Sequence, residues 1–138
     1  MPVIRRAGPE DFDAVAAIQS ASPHAAQWPV AEYMPYEFMV ALEVDAVVGF
    51  VVWRMVAEGE CELLNLAVAA AFRRRGIARQ LMDAILHLPE NQIFLEVRES
   101  NQAARMFYKS IGFQEVSIRR EYYRSPVEVG IVMKFHSC

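Results

Sequence analysis

Apolar and polar positions along this chain fall into short runs, some alternating and some at helical spacing, divided by Gly, Pro and acidic turns. Val3–Arg6 reads as a first strand. Pro9 suits the first position of a helix, and Glu10 and Asp11 put negative charge in its first turn. Phe12, Val15 and Ile18 then keep helical spacing to about residue 20. Pro23, Pro29 and Pro35 make 21–35 a loop, with one short helical turn at Val30–Tyr33. Strands follow at 37–44, 46–57 and 60–68, with tight turns near Asp45 and at Glu58-Gly59. Ile77, Leu81, Ile85 and Leu88 recur at helical spacing, which predicts a helix over 75–87 that Pro89 ends. Residues 93–97 form a short buried strand. Ser100 is a candidate cap for a helix over 101–111, with Gly112 just past its end. Strands at 113–120 and 129–135 are the last two.

The order β-α-(α)-β-β-β-α-β-α-β-β predicts an α+β fold. Segment 60–97 is a strand–helix–strand unit, which joins parallel strands, whereas tight turns join antiparallel ones. The expected architecture is a mixed, mostly antiparallel sheet of about seven strands, with a central parallel pair and helices on both faces.

Composition narrows this reading. The length, 138 residues, is that of one domain, so 1–138 is read as a single unit. An apolar share of 54% with 22% charged residues is that of a soluble globular protein. A net charge of −3 argues against direct nucleic-acid binding, which wants a basic face. Cys61 and Cys138 read as two free thiols in a reducing compartment. His24, His87 and His136 lack ligand spacing, so no metal is expected. The N-terminus has no apolar signal core and the longest apolar run, 46–53, is too short for a bilayer. The expectation is a cytoplasmic chain with no membrane partner. No unused apolar face stands out, which favours a monomer.

Three constellations carry candidate chemistry. The first is Arg73-Arg74-Arg75-Gly76-Ile77-Ala78, where an apolar strand runs into a basic loop that opens a helix. Helix starts leave N–H groups without partners and carry partial positive charge, and a glycine lets an anion approach the backbone. A phosphate-bearing ligand fits there, and so does the blander reading of a solvated basic turn. The second is Glu96. Alternation places Ile93, Leu95 and Val97 on one face and Phe94 and Glu96 on the other. A carboxylate at the end of a buried strand suits a general base, or else pairs with Arg98 or meets water. The third is the helix after Asn101, where Asn101 and Tyr108 share one face and Ala103, Phe107 and Ile111 a neighbouring, more apolar one. Tyr108 is a candidate proton donor or an edge of the core.

These residues resemble a known family. The R-x-x-G-x-A loop after a strand resembles the acetyl-CoA signature of the GNAT N-acetyltransferase superfamily. Leu64-Asn65-Leu66-Ala67-Val68, Leu95-Glu96-Val97-Arg98-Glu99-Ser100-Asn101, Phe107-Tyr108-Lys109-Ser110-Ile111-Gly112-Phe113 and Arg119-Arg120-Glu121-Tyr122-Tyr123 are similar to its RimI-like branch, the ribosomal-protein-alanine N-acetyltransferases. The likeness runs from about Leu63 to Tyr123, with Ile131-Val132-Met133 in support. Ala78 stands for the commoner second glycine, and Glu128-Val129 for an acidic pair.

The resemblance implies a GNAT-like fold whose parallel pair splays around acetyl-CoA. Backbone groups of Leu66, Ala67 and Val68 would hold the pantetheine arm. The loop from Arg73 through Arg74, Arg75, Gly76, Ile77 and Ala78 to Arg79 would hold the pyrophosphate, and Asn101 would also touch the cosubstrate. Glu96 would accept a proton and Tyr108 donate one. Loops around 28–36 and 122–130 would form the acceptor groove. The acceptor implied is a protein or peptide N-terminus, with a ribosomal protein that starts with Ala as candidate. Two alternatives stay open: a small-molecule amine as acceptor, and an acyl-CoA-binding module without turnover.

Overall fold

The computed structural model describes residues 2–88, 92–124 and 127–136, with side chains outside 120–124 and 127–128. Pro89 and Cys138 lie outside the described residues. Seven strands form one sheet in the order β1-β2-β3-β4-β5-β7-β6. They are β1 (Val3–Arg6), β2 (Glu37–Glu43), β3 (Ala46–Ala57), β4 (Glu60–Val68), β5 (Gln92–Arg98), β6 (Gln114–Arg124) and β7 (Val127–His136). The helices are α1 (Phe12–Ser20), α2 (Ile77–Leu86) and α3 (Gln102–Ser110). Short 3-10 turns precede α1, occupy Val30–Tyr33 and follow β4 at Ala70–Phe72. This is the mixed, mostly antiparallel sheet that the element order predicts.

The chain divides into two compact units. One holds the chain up to Arg54 with Leu63–His87. In it β1 pairs with β2 and β2 with β3, both antiparallel. Strand alternation sends Phe38, Val40, Phe50 and Val52 to one face, where Val15 and Ile18 of α1 cover them. On the other face α2 buries Ile77, Leu81, Met82 and Ile85. Gly49 of β3 makes room for that packing, since a Cβ there would lie 3.2 Å from Leu81 Cδ1 and 3.2 Å from the Ala67 carbonyl oxygen. Helix α2 starts at Ile77 rather than 75. Arg74 (φ 64°) and Gly76 (φ 78°) are left-handed, and neither conformation can sit inside a right-handed helix.

The other unit holds Met55–Glu62 and the chain from Leu88. Here the start of β4 runs parallel to β5, with Glu60, Cys61 and Glu62 opposite Gln92, Ile93 and Phe94. β7 pairs antiparallel with both β5 and β6. The last hairpin is longer than its apolar pattern predicts, because beyond an irregularity between Arg119 and Tyr123 backbone pairing resumes at Tyr123 with Glu128 and Arg124 with Val127. Ala104 is half-buried and Tyr108 and Ile111 are buried, while Ala103 is exposed. The inward stripe of α3 therefore centres on 104, 108 and 111 with half-buried Phe107 at its edge, and of the predicted 103, 107 and 111 only Ala103 faces out.

Candidate active site

In the first unit the segment after β4 is built around Arg73. Its Nε donates to the Val68 carbonyl at 3.0 Å and its Nη2 to Ser22 Oγ at 3.5 Å. Arg73 thus ties the loop back to the strand end. Arg75 lies over the Phe72 ring, 5.0 Å from its centroid. Gly76 is the N-cap of α2, no side chain caps the helix, and the backbone ladder begins with Gln80 N–H donating to the Gly76 carbonyl. The first-turn amides of Ile77, Ala78 and Arg79 precede that bond and are the N–H groups a helix start leaves over. Gly76 is needed for its φ of 78°, not for close packing, because a Cβ there would meet nothing within 4 Å.

Upstream, β4 carries a buried polar cluster that the motif reading passed over. Asn65 is 6% exposed. Its Nδ2 donates to Gln19 Oε1 (3.1 Å), to the Ala26 carbonyl (3.0 Å) and to Tyr33 Oη (3.0 Å). Its Oδ1 accepts the Leu66 N–H at 3.0 Å. Tyr33 donates to Gln19 Oε1 at 2.6 Å, and Gln19 Nε2 donates to the Trp28 carbonyl at 2.7 Å. Burial pushes the Tyr33 phenol above its ordinary pKa, so it acts as a donor. The cluster fixes the loop before Val30 against β4, and it occupies the Leu66 N–H with a side chain. Ala67 and Val68 are buried and Leu66 half-buried. A polar residue on the inward row Cys61, Leu63, Asn65, Ala67 was the signal available in the sequence.

The second unit holds the titratable candidates. Glu96 projects from β5 on the face opposite buried Ile93, Leu95 and Val97. Its Oε1 accepts a hydrogen bond from Arg119 Nη1 at 2.7 Å, which makes Arg119 of β6 its ion-pair partner. Glu96 Oε2 is buried without a partner among the described residues. Tyr108 is buried between aromatic rings, with centroids 5.2 Å from Phe107 and 5.5 Å from Phe113. That burial raises its phenol pKa strongly. Asn101, not Ser100, caps α3, its Oδ1 accepting the Ala104 N–H at 3.2 Å. The side chains of Arg120, Glu121, Tyr122, Tyr123 and Glu128 lie outside the description. Cys61 is buried, and burial pushes its thiol up to about 11, which keeps it protonated near neutral pH. No group of three or more His, Cys, Asp and Glu able to hold a metal occurs among the described residues. No described helix is long and apolar enough to cross a membrane.

A left-handed glycine opening a helix after a strand, in a mixed seven-stranded sheet, defines a class. The sequence matches the acetyltransferase (GNAT) family over residues 9–113, and the chain belongs to that family. It is an acetyltransferase, and its family uses acetyl-CoA. Among its relatives is the [ribosomal protein bS18]-alanine N-acetyltransferase of Haemophilus ducreyi, 30% identical over 129 residues, which covers 85% of this chain and 86% of that one. The crystal structure of the ribosomal-protein-S18-alanine N-acetyltransferase from Escherichia coli matches with a TM-score of 0.82 at 27% identity, covering 100% of this chain and 96% of that one. Ard1 from Thermoplasma volcanium matches with a TM-score of 0.87 at 31% identity, covering 99% and 98%.

Proposed function

We propose that this acetyltransferase moves the acetyl group of acetyl-CoA to the α-amine of a protein that begins with Ala, with a bS18-type ribosomal protein as acceptor. The likeness to the Haemophilus ducreyi enzyme over most of both chains is the observation that carries this acceptor class. On this reading the amides of Ile77, Ala78 and Arg79, with Arg74 and Arg75 around them, take the pyrophosphate. The end of β4 at Leu66, Ala67 and Val68 lies along the pantetheine arm, and Asn101 adds a polar contact.

The chemistry needs no metal and no covalent enzyme intermediate. An amine attacks only when deprotonated, and an α-amine, with a pKa of about 7.7–8.0, loses its proton far more readily than a lysine at about 10.4. Glu96 takes that proton directly or through water. A backbone N–H near Val68 stabilises the developing oxyanion, a contribution of roughly 3–4 kcal/mol in comparable sites. Tyr108 is the proton donor to the departing thiolate. Because burial raises its pKa, it is still protonated when the thiolate leaves and can give it that proton.

The test mixes purified protein and labelled acetyl-CoA with peptides of different first residues and with small amines. Selective labelling of the α-amine of an Ala-initiated ribosomal peptide is expected. Transfer confined to a small amine would move the acceptor assignment to that class and leave the acetyltransferase activity intact.

A further inference from the structure

We propose that Arg119 is a positioning residue for acetyl transfer: it holds one oxygen of Glu96 so that the other is left to receive the proton of the attacking amine. This rests on Glu96 being the base. Asp11 and Glu115, both less exposed than the solvent-facing Glu37 that pairs with Arg6 through one oxygen, show what a fully held carboxylate looks like here. Asp11 accepts from Arg5 with both oxygens, at 2.8 and 2.9 Å, and from the Gly8 N–H at 2.9 Å. Glu115 accepts from Arg105 with both oxygens, at 2.8 and 3.2 Å, and also pairs with Lys109. These are the two-pronged contacts that lock a carboxylate. Glu96 differs. Only Oε1 is bonded, at 2.7 Å to Arg119 Nη1, while Oε2 is buried with no partner among the described residues.

The exposures differ in the same sense. The Glu96 side chain is 17% exposed and that of Arg119 56%. The arginine reaches inward to the carboxylate. It does so across a whole strand, since β7 lies between β5 and β6. Opposite Arg119 on β7 stands Gly130, which adds no side chain, and opposite Glu96 stands Val132, so the contact runs diagonally with an offset of two residues. Two strand spacings combined with that two-residue offset amount to about 12 Å, a span that suits the longest cationic side chain.

In the reaction the amine N–C bond forms as an N–H bond breaks and its proton passes to Oε2. The C–S bond then breaks with its electron pair on sulfur. Arg119 stays protonated throughout and keeps its bond to Oε1, which fixes the direction in which Oε2 points. The acid formed on Glu96 returns its proton to solvent.

Arg119→Ala, Arg119→Lys, Glu96→Gln and the double variant Glu96→Gln/Arg119→Ala test this by steady-state and single-turnover acetylation of an Ala-initiated peptide. Misplacing a reacting group by about 1 Å costs up to ~100-fold, so Arg119→Ala should lower kcat about 10- to 100-fold with the acetyl-CoA KM nearly unchanged. Added guanidinium ion at low millimolar concentration should restore part of the rate, and Arg119→Lys should fall between. In the Glu96→Gln background the Arg119 change should add little, because both act through one group. A wild-type rate in Arg119→Ala, or an undiminished loss in the Glu96→Gln background, overturns the positioning role while leaving Glu96 as base. A wild-type rate in Glu96→Gln overturns the base itself.

Discussion

Tyr108 is held on the α3 side by the way its helix ends. The Phe113 N–H donates back to the Tyr108 carbonyl at 2.9 Å and the Gly112 N–H to the Lys109 carbonyl at 3.1 Å. This is the paired closure that a left-handed residue past a helix end allows, and Gly112 supplies it with φ 109°. A Cβ at Gly112 would also lie 2.8 Å from the Phe135 ring. The phenol thus sits in an aromatic frame that Tyr108→Phe preserves. That variant should keep its melting temperature and acetyl-CoA affinity while the chemical step slows by about 10²-fold, the usual order for a lost acid. Single-turnover transfer measured beside equilibrium acetyl-CoA binding separates the two. A rate within twofold of wild type would remove Tyr108 from the chemistry. The pattern of α3 made Tyr108 visible as a candidate, yet it put Ala103 inward, where the helix instead turns Ala104. Three- and four-residue spacings serve two adjacent stripes, and only packing chooses between them. Asn65 escaped because its partners Gln19, Ala26 and Tyr33 are remote in sequence.

Among the elements, the turn from β2 to β3 stores a conflict between sequence and backbone. Glu43 and Ala46 are paired across a two-residue loop in which Val44 (φ 48°) and Asp45 (φ 67°) are both left-handed. That geometry matches the twist of the flanking strands and prefers Asn and Gly. A β-branched residue there is strained, and Val44 is 96% exposed, so its methyl groups gain nothing by packing. Val44→Asn should therefore raise stability by about 1 kcal/mol, since left-handed backbone costs most residues roughly 1–2. Urea unfolding would show a higher midpoint with an unchanged slope. A lower midpoint would mean that the turn is not strained. The same elements show how far periodicity reaches. The limits of β3 and β4 follow from their apolar positions and the acidic turns that bound them. The 3-10 turn Ala70–Phe72 and the start of α2 do not, because they depend on which residues turn left-handed, and Arg74 at φ 64° carries no compositional sign of it.

For the molecule as a whole, stability toward acid follows from two carboxylates, one in each unit. Hydrogen bonds from the Arg5 guanidinium hold Asp11 below the usual carboxylate pKa despite burial, and Arg105 does the same for Glu115, with help from Lys109. A carboxyl that is more acidic when folded binds fewer protons in the native state than in the unfolded chain. Its contribution is complete above the unfolded pKa, about 3.9 for Asp and 4.3 for Glu, and fades as the pH falls through the lower folded value. Both groups act in the same direction, so the protein should lose stability on acidification below about pH 4. Asp11 is the more telling of the two, since its side chain is 4% exposed and all its bonds stay within 2–12 of the chain. Asp11→Asn should destabilise by roughly 1–3 kcal/mol at pH 7, the usual worth of hydrogen bonds to a charged group. The gap to wild type should narrow steadily as the pH is lowered toward ~3, where the native carboxylate is itself being protonated. Melting temperatures of both proteins across that range decide the matter. A gap that stays constant with pH would mean that Asp11 acts through shape and backbone capping of Gly8, and that its charge contributes nothing to the fold.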